Sequence, residues 1–212
     1  MTKQRKRDAE ATKTALLDAA EEVFLEKGFG SATLAEISKR SGITKSLIHH
    51  YFGSKLGVWE EVKDRGFAEY LEKKEKVMIR DNPSEDKLRE YFSLFFNHLK
   101  ENKKVVKIMT WMFLEPDSEL VLEQDRERFG DELENVKIMQ TAGLLRNDID
   151  PRFILFTLSS LAFHWFQTPA HEFEQIYGTD GLPEDLDEAY LDVIHKVLRG
   201  GMLAEKPSTC ST

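Results

Sequence analysis

The sequence is short of most features that secreted, membrane-bound and catalytic proteins rely on. It has one cysteine, Cys210, in a Pro/Ser/Thr tail. A single thiol forms no internal disulfide, which excludes a disulfide-stapled scaffold and fits a reducing compartment. No apolar run reaches the roughly 18 residues that span a bilayer. The opening Met1-Thr2-Lys3-Gln4-Arg5-Lys6-Arg7 has the charge of a signal-peptide n-region but runs into a polar helix instead of an apolar core. The expectation is a cytoplasmic protein with no membrane partner. The six histidines show neither HxxxH nor Cys-assisted spacing, which argues against a metal. No nucleophile–base pair or phosphate-binding Gly loop is visible, so neither an enzyme nor a cofactor is expected. Internal repeats and low-complexity segments are lacking, and strand-type alternation is almost absent.

What remains is a charged, helical, globular chain. With 212 residues, 41% of them hydrophobic and 32% charged, it can build a real core. The net charge of −8 speaks against nucleic acid at first sight, but the distribution does not. Residues 1–57 hold ten Lys and Arg against seven Asp and Glu, while the remainder holds twenty against thirty-one. Lys3, Arg5, Lys6 and Arg7 make a basic arm. Charge alone leaves a solubilising tail and a DNA-binding arm equally open.

Helical periodicity organises the rest. Leu16, Ala20, Val23 and Phe24 form the apolar face of a first helix, expected to end at Gly28 with that residue as a left-handed cap. Thr33-Leu34-Ala35-Glu36 is a capping box opening a second helix, and Ile37 continues its buried face. Ser41-Gly42-Ile43 breaks it. Thr44 is the expected N-cap of a third helix, with Ile43 and Ile48 as a hydrophobic staple. Ser54 caps a fourth, in which Gly57 is a mild weakness. Further helices are expected from Ser84 to about Lys100, over roughly 103–115, through an acidic stretch to about Leu145 with a possible break at Gly130, from Pro151 behind Asp150, around 171–177, and near 185–199.

Two short helices joined by a tight Gly turn form a helix-turn-helix pattern. At 100° per residue, with Ile48 inward, Phe52 and Tyr51 pack on or beside the core, Ser46 and His50 point outward, and Lys45, Leu47 and His49 lie on the flanks. Hydroxyl, imidazole, ammonium and an apolar tip on one face suit base edges and a thymine methyl in the major groove. Thr33 and Lys55 stand at helix N-termini, where free amides attract phosphate, and the Tyr51 hydroxyl can reach the DNA backbone.

The run from Gly28 to Lys55 resembles the N-terminal domain of the TetR family of bacterial regulators. The likeness lies in Thr33-Leu34, Ile37, Gly42-Ile43, Ile48, Tyr51-Phe52 and Lys55. It covers about residues 10–62 directly; the rest matches in helix number, order and length. It implies an all-α fold of about nine to ten helices. Residues 1–56 would be the three-helix DNA-binding domain with its basic arm, residues 57–204 a helical effector-binding and dimerisation domain, and residues 205–212 a disordered tail. It further implies a homodimer on a palindromic double-stranded DNA operator, usually a repressor released by a small-molecule effector, in a bacterial cytoplasm and on the nucleoid when DNA-bound. Carried over by position, Thr33, Tyr51 and Lys55 become phosphate contacts, while Thr44, Lys45, Ser46, Leu47, His49 and His50 lie on or around the reading helix. His49 stands where the family commonly has Tyr or Phe, so a sequence preference is not borrowed. A DNA-binding protein of the same fold, controlled by a protein partner or acting architecturally, is the alternative.

From Phe153 to Phe166 the chain carries no Asp, Glu, Lys or Arg. Read alone, this is a central core helix. The resemblance makes it, with the last helix, half of a four-helix dimer interface in which Phe156, Ser160, Phe163, Leu191, Ile194 and Leu198 are the expected contacts. Aromatic and Met residues are concentrated in Phe92, Phe95 and Phe96, then in Met109, Trp111, Met112 and Phe113. These suit an apolar or aromatic effector, with His164 as a polar handle, and suit core packing equally well.

Overall fold

The computed structural model describes residues 3–77, 82–115 and 123–203. Among these the chain forms ten α-helices: α1 (Lys3–Ser31), α2 (Leu34–Ser41), α3 (Lys45–Phe52), α4 (Lys55–Lys76), α5 (Glu85–Glu101), α6 (Lys103–Leu114), α7 (Glu123–Thr141), α8 (Pro151–Gln167), α9 (Ala170–Tyr177) and α10 (Leu186–Val197). A π-helical turn, Leu198–Met202, follows α10. The strand-like pairing among the described residues is one antiparallel bridge, Leu145 to Leu203. The all-α class and helix number are as expected. The tail 205–212, Cys210 included, lies outside the described residues, as do the side chains of Lys3, Arg5 and Lys6.

Local chemistry sets several of the helix starts. The Ser84 hydroxyl oxygen accepts the amide of Lys87 at 3.2 Å ahead of α5. Asp150 accepts the Arg152 amide at 2.9 Å with Pro151 at the first helical position. Asp185 accepts the amides of Asp187 and Glu188, both at 3.1 Å. Each satisfies an orphan donor of a helix N-terminus. Gly28 breaks the first helix as expected, with a positive φ of 74°, though its ψ of −176° is extended rather than left-handed helical, and one more turn follows the kink to Ser31. Two expectations need correcting. Gly130 does not interrupt α7, whose interior tolerates glycine at a cost of about 1 kcal/mol. That helix stops at Thr141, short of Leu145, and the Gln140 side chain then donates to the carbonyls of Arg146 and Ile149 at 2.7 and 2.8 Å. Loop carbonyls that no helix satisfies are thereby paired.

The described residues fall into two compact units. The first comprises residues up to Glu69 together with those from Asn102 to Glu115, so α6 belongs with the N-terminal helices and this unit reaches past residue 56. Its core joins Leu16, Ala20, Val23 and Phe24 of α1 to Ile37, Ile48, Val58, Trp59 and Val62, and Ile108 of α6 completes it. Phe24 and Trp59 meet edge to face at 4.9 Å.

The second unit holds α5, α7–α10 and the end of α4 from Tyr70. Leu88, Phe92, Phe96 and Leu99 of α5, Met139 of α7, Ile154, Leu158, Ala162 and Phe163 of α8, and Leu191, Ile194 and Leu198 are among its buried residues. Trp165 stacks on Tyr190 at 4.2 Å. Of the expected interface residues, Phe163, Leu191, Ile194 and Leu198 are buried within the chain itself. Ile154, Leu158 and Ala162 of α8 turn inward, while the stripe of Thr157, Ser160 and His164 is half-buried to exposed. Phe153 and Phe156 of α8, at 67% and 68% exposure, and Val193 and Val197 of α10 are left uncovered, while Ser160 is half-buried.

Candidate nucleic-acid interface

The site is built on α2, its turn and α3. The Thr33 hydroxyl oxygen accepts the Glu36 amide at 3.2 Å, and a Glu36 carboxylate oxygen accepts the Thr33 amide at 3.1 Å, so the capping box expected from the sequence is formed. Glu36 also pairs with Lys27; that bond, then the Thr33 hydroxyl, hold its carboxyl below the usual range. On the far side of α2 the Arg40 guanidinium makes two hydrogen bonds to Glu26, at 2.7 and 2.9 Å, which lower the Glu26 carboxyl and raise the guanidinium. These contacts fix α2 to α1.

The turn is tied from within. Gly42 adopts the left-handed conformation, φ 71° and ψ 10°. The Ser38 hydroxyl donates to the Ile43 carbonyl at 2.6 Å, and the Ile43 amide donates to the Ser41 hydroxyl oxygen at 3.2 Å. Ile43 packs against the cluster that contains Ile48, as a staple requires.

Within α3, Ile48 is fully buried, Tyr51 and Phe52 are half-buried, and Lys45, Ser46, Leu47, His49 and His50 are exposed. Thr44 is the N-cap by position, yet its side chain makes no capping hydrogen bond. The helical arithmetic thus gives the observed division into an inward and an outward face. His49 adds a contact that its sequence position does not suggest. Its Nδ1 lies 2.9 Å from the Gly53 carbonyl oxygen. A carbonyl only accepts, so Nδ1 is the donor in this contact.

Lys55 departs from its expected setting. Its Nζ donates to the carbonyls of Phe29, Ala32 and Gly30, at 2.8, 3.0 and 3.3 Å, and lies 4.3 Å from the centre of the Phe29 ring. The ammonium is directed at the end of α1 and closes carbonyls that the kinked helix leaves open. The start of α4 is instead capped by Ser54, whose hydroxyl oxygen accepts the Gly57 amide at 3.1 Å.

The residues expected around an effector are divided between the two units. Phe92, Phe95 and Phe96 belong to the second unit, whereas Met109, Trp111, Met112 and Phe113 belong to the first. Phe92 and Phe96 are buried in core packing, and Phe95 packs edge to face on Tyr70 at 5.8 Å. Trp111 and Met112 pack against the first unit's core, and the Trp111 indole donates to the Leu25 carbonyl at 3.3 Å. Phe113 and His164 are exposed. The sequence reading missed an inward polar group in the second unit. Glu132 of α7 pairs with Lys74 and accepts the Tyr91 hydroxyl, with Asn135 Nδ2 3.4 Å from that oxygen. Burial first, then Glu132, push the Tyr91 phenol far up. Glu132 and Asn135 are three apart on one helix face, the one signal that could have found the pair. Among the described residues no group of three His, Cys, Asp or Glu could hold a metal, and no helix is long and apolar enough to cross a membrane.

The comparisons with known proteins agree with this geometry. Residues 16–62 match the family model described as bacterial regulatory proteins, tetR family, and residues 87–193 match that of the tetracyclin repressor-like C-terminal domain. The HTH-type transcriptional repressor BepR of Brucella suis is 40% identical over 60 residues, which are 28% of this chain and 29% of that protein. The HTH-type transcriptional repressor SCO4008 of Streptomyces coelicolor is 25% identical over 90% of this chain and 98% of its own. The match to BepR is thus confined to under a third of either chain. Among solved structures, the fatty acid degradation regulator FadR from Bacillus halodurans superposes with a TM-score of 0.66 at 20% identity, covering 90% of this chain and 95% of that one. A TetR family transcription regulator from Marinobacter aquaeolei VT8 does so with a TM-score of 0.66 at 15% identity, covering 95% and 100%. Likeness at that identity shows the fold. With family models over both the helix-turn-helix and more than half of the chain beyond it, the protein belongs to the tetR family of bacterial transcriptional regulators and is a DNA-binding regulator, not an enzyme.

Proposed function

We propose that the protein is a ligand-responsive repressor that binds a palindromic operator as a homodimer. The observation that carries the DNA half is the exposure of Thr44, Lys45, Ser46, Leu47, His49 and His50 around a buried Ile48, on a helix whose turn is fastened at both ends. Ser46 and His50 would read base edges, Leu47 a thymine methyl, and Thr44 and Lys45 the groove margin. Thr33 and Tyr51 would take phosphates. Lys55 would act indirectly, because its ammonium already serves three carbonyls.

The dimer half rests on the uncovered Phe153, Phe156, Val193 and Val197, on two helices of one unit. Single exposed apolar residues need no explanation, but four on adjoining helices make a patch. Two reading heads joined through such a patch would engage half-sites about one helical turn apart, or a multiple of it. A small, largely apolar or aromatic effector would bind in the second unit, where Phe95 and Tyr70 adjoin the Lys74–Glu132–Tyr91 group.

The experiment is selection of bound fragments from genomic DNA, followed by anisotropy titration of wild type and the S46A/H50A double variant. The expected result is a specific palindromic site for the wild type. The double variant should lose discrimination, at roughly 1–3 kcal/mol per base contact removed, with non-specific affinity nearly unchanged. Uniform binding of the wild type to any DNA would overturn the proposal. Failure of every metabolite tested to release the operator or raise the melting temperature would favour control by a protein partner.

A further inference from the structure

Glu115, just past the end of α6, holds two backbone amides of the first unit. Its Oε2 accepts the Phe29 and Gly30 amides, each at 2.9 Å. These are the first two donors after the Gly28 kink, 86 and 85 residues away in the chain. Lys55 holds the carbonyls of Phe29, Gly30 and Ala32 in the same segment. Residues 29–32 therefore have donors gripped from α6 and acceptors gripped from α4, and they lead directly into Thr33, the cap of α2.

The grip leaves no slack. A Cβ built on Gly28 would stand 2.6 Å from a Trp111 ring atom and closer still to a Glu115 carboxylate oxygen. Gly28 thus has two reasons to be glycine: its positive φ and the indole packed on it. α6 itself gives no reason for an acid at Glu115, because a carboxylate at a helix C-terminus faces the negative end of the macrodipole. The two amides of the kinked segment supply the reason.

We infer that Glu115, with Trp111 beside it, is a positioning residue for operator binding. It touches no DNA. Its carboxylate seats residues 29–32, these seat α2, and the turn at Gly42 carries that placement to the exposed face of α3. The inference rests on the DNA-binding reading and adds a control point to it.

The test compares E115A, E115Q and G28A with wild type. Operator and non-specific DNA are titrated at a temperature where each variant is folded, and amide hydrogen exchange is followed along residues 25–52. Loss of the charged acceptor in E115A should weaken operator binding about tenfold, the equivalent of one such hydrogen bond. E115Q keeps a carbonyl oxygen facing the same amides and should stay within about threefold, since a neutral acceptor is roughly half as strong. Non-specific affinity should hardly move in either. Exchange at Phe29 and Gly30 should quicken in E115A, and with it exchange in α2 and α3. G28A, which displaces Trp111 and Glu115 by another route, should resemble E115A. Wild-type operator affinity in folded E115A, or faster exchange confined to Phe29 and Gly30, overturns the inference. Should E115A not fold, folded G28A with unaltered exchange in α2 and α3 and unaltered operator affinity does the same. A wild type that binds no specific site overturns the underlying reading as well, so the two failures are distinguishable.

Discussion

Replacing Phe156 should separate the protein's assembly from its folding. The ring is 68% exposed on α8, so its loss opens no cavity in its own chain. A Phe buries about 150–250 Å² when covered. Two thirds of that, at about 25 cal/mol per Å², is about 3 kcal/mol for each ring sealed in an interface. Two-fold symmetry counts the residue twice, giving about 6 kcal/mol per dimer, or roughly a 10⁴-fold change in dissociation constant. Alanine keeps its methyl and neighbouring rings relax into the gap, so about 10³-fold is the working expectation for F156A. Sedimentation equilibrium from nanomolar to ten-micromolar protein reads this directly, with the melting temperature of the dissociated chain as control. F163A is the counterpart: that ring lies in the core, and its loss should cost about 3–5 kcal/mol of stability. Equal dissociation constants for wild type and F156A would refute the assignment of this face. So would a wild type that stays monomeric throughout.

Three other outcomes follow from particular contacts. K55A should destabilise the first unit by about 1–3 kcal/mol, because carbonyls of the kinked segment lose their donor, while the salt slope of non-specific DNA binding stays unchanged; a slope smaller by about 1 would return Lys55 to direct phosphate contact. G57A would gain about 1 kcal/mol on helix propensity alone, yet its Cβ would collide with the Phe52 carbonyl oxygen, so chemical denaturation should show a net loss. An increase in stability would contradict the close approach of α3 to α4. His195 is held below its ordinary value, first by burial and then by Arg89. The unfolded chain binds that proton more readily, so stability should decrease as pH falls through about 6.5. Urea midpoints between pH 5 and 8 should show a shallower decrease for H195Q; identical slopes would remove His195 as a cause.

What the sequence made legible was decided within a turn or two of helix. The capping box at Thr33–Glu36, the turn at Gly42 and the buried Ile48 depend on neighbours three to six residues away, and periodicity reports such neighbours directly. The Asp150–Pro151 start of α8 is of the same kind. The rest depends on distant partners. Lys55 reads as a helix N-terminal cation until carbonyls 23 to 26 residues upstream claim it. Phe156 and Phe163 are seven residues apart and share a face of α8, so periodicity groups them; one is exposed and the other buried because different turns of the helix are covered by different distant parts of the chain. Glu132 lies within an acidic stretch whose own sequence does not single it out, because its partners, Lys74 and Tyr91, are 58 and 41 residues away.

The placement of Ile108, Trp111 and Glu115 with the N-terminal helices bears on how this regulator can be taken apart and rebuilt. A chimera joined at residue 56 would graft a DNA-reading module stripped of the side chain that closes its core and the carboxylate that grips its first turn. The transplantable module is discontinuous: residues up to Glu69 together with α6, two pieces of chain that must travel as one. Swapping specificities between relatives therefore calls for two junctions, or for recipients whose own α6 offers an indole and an acid at the matching places.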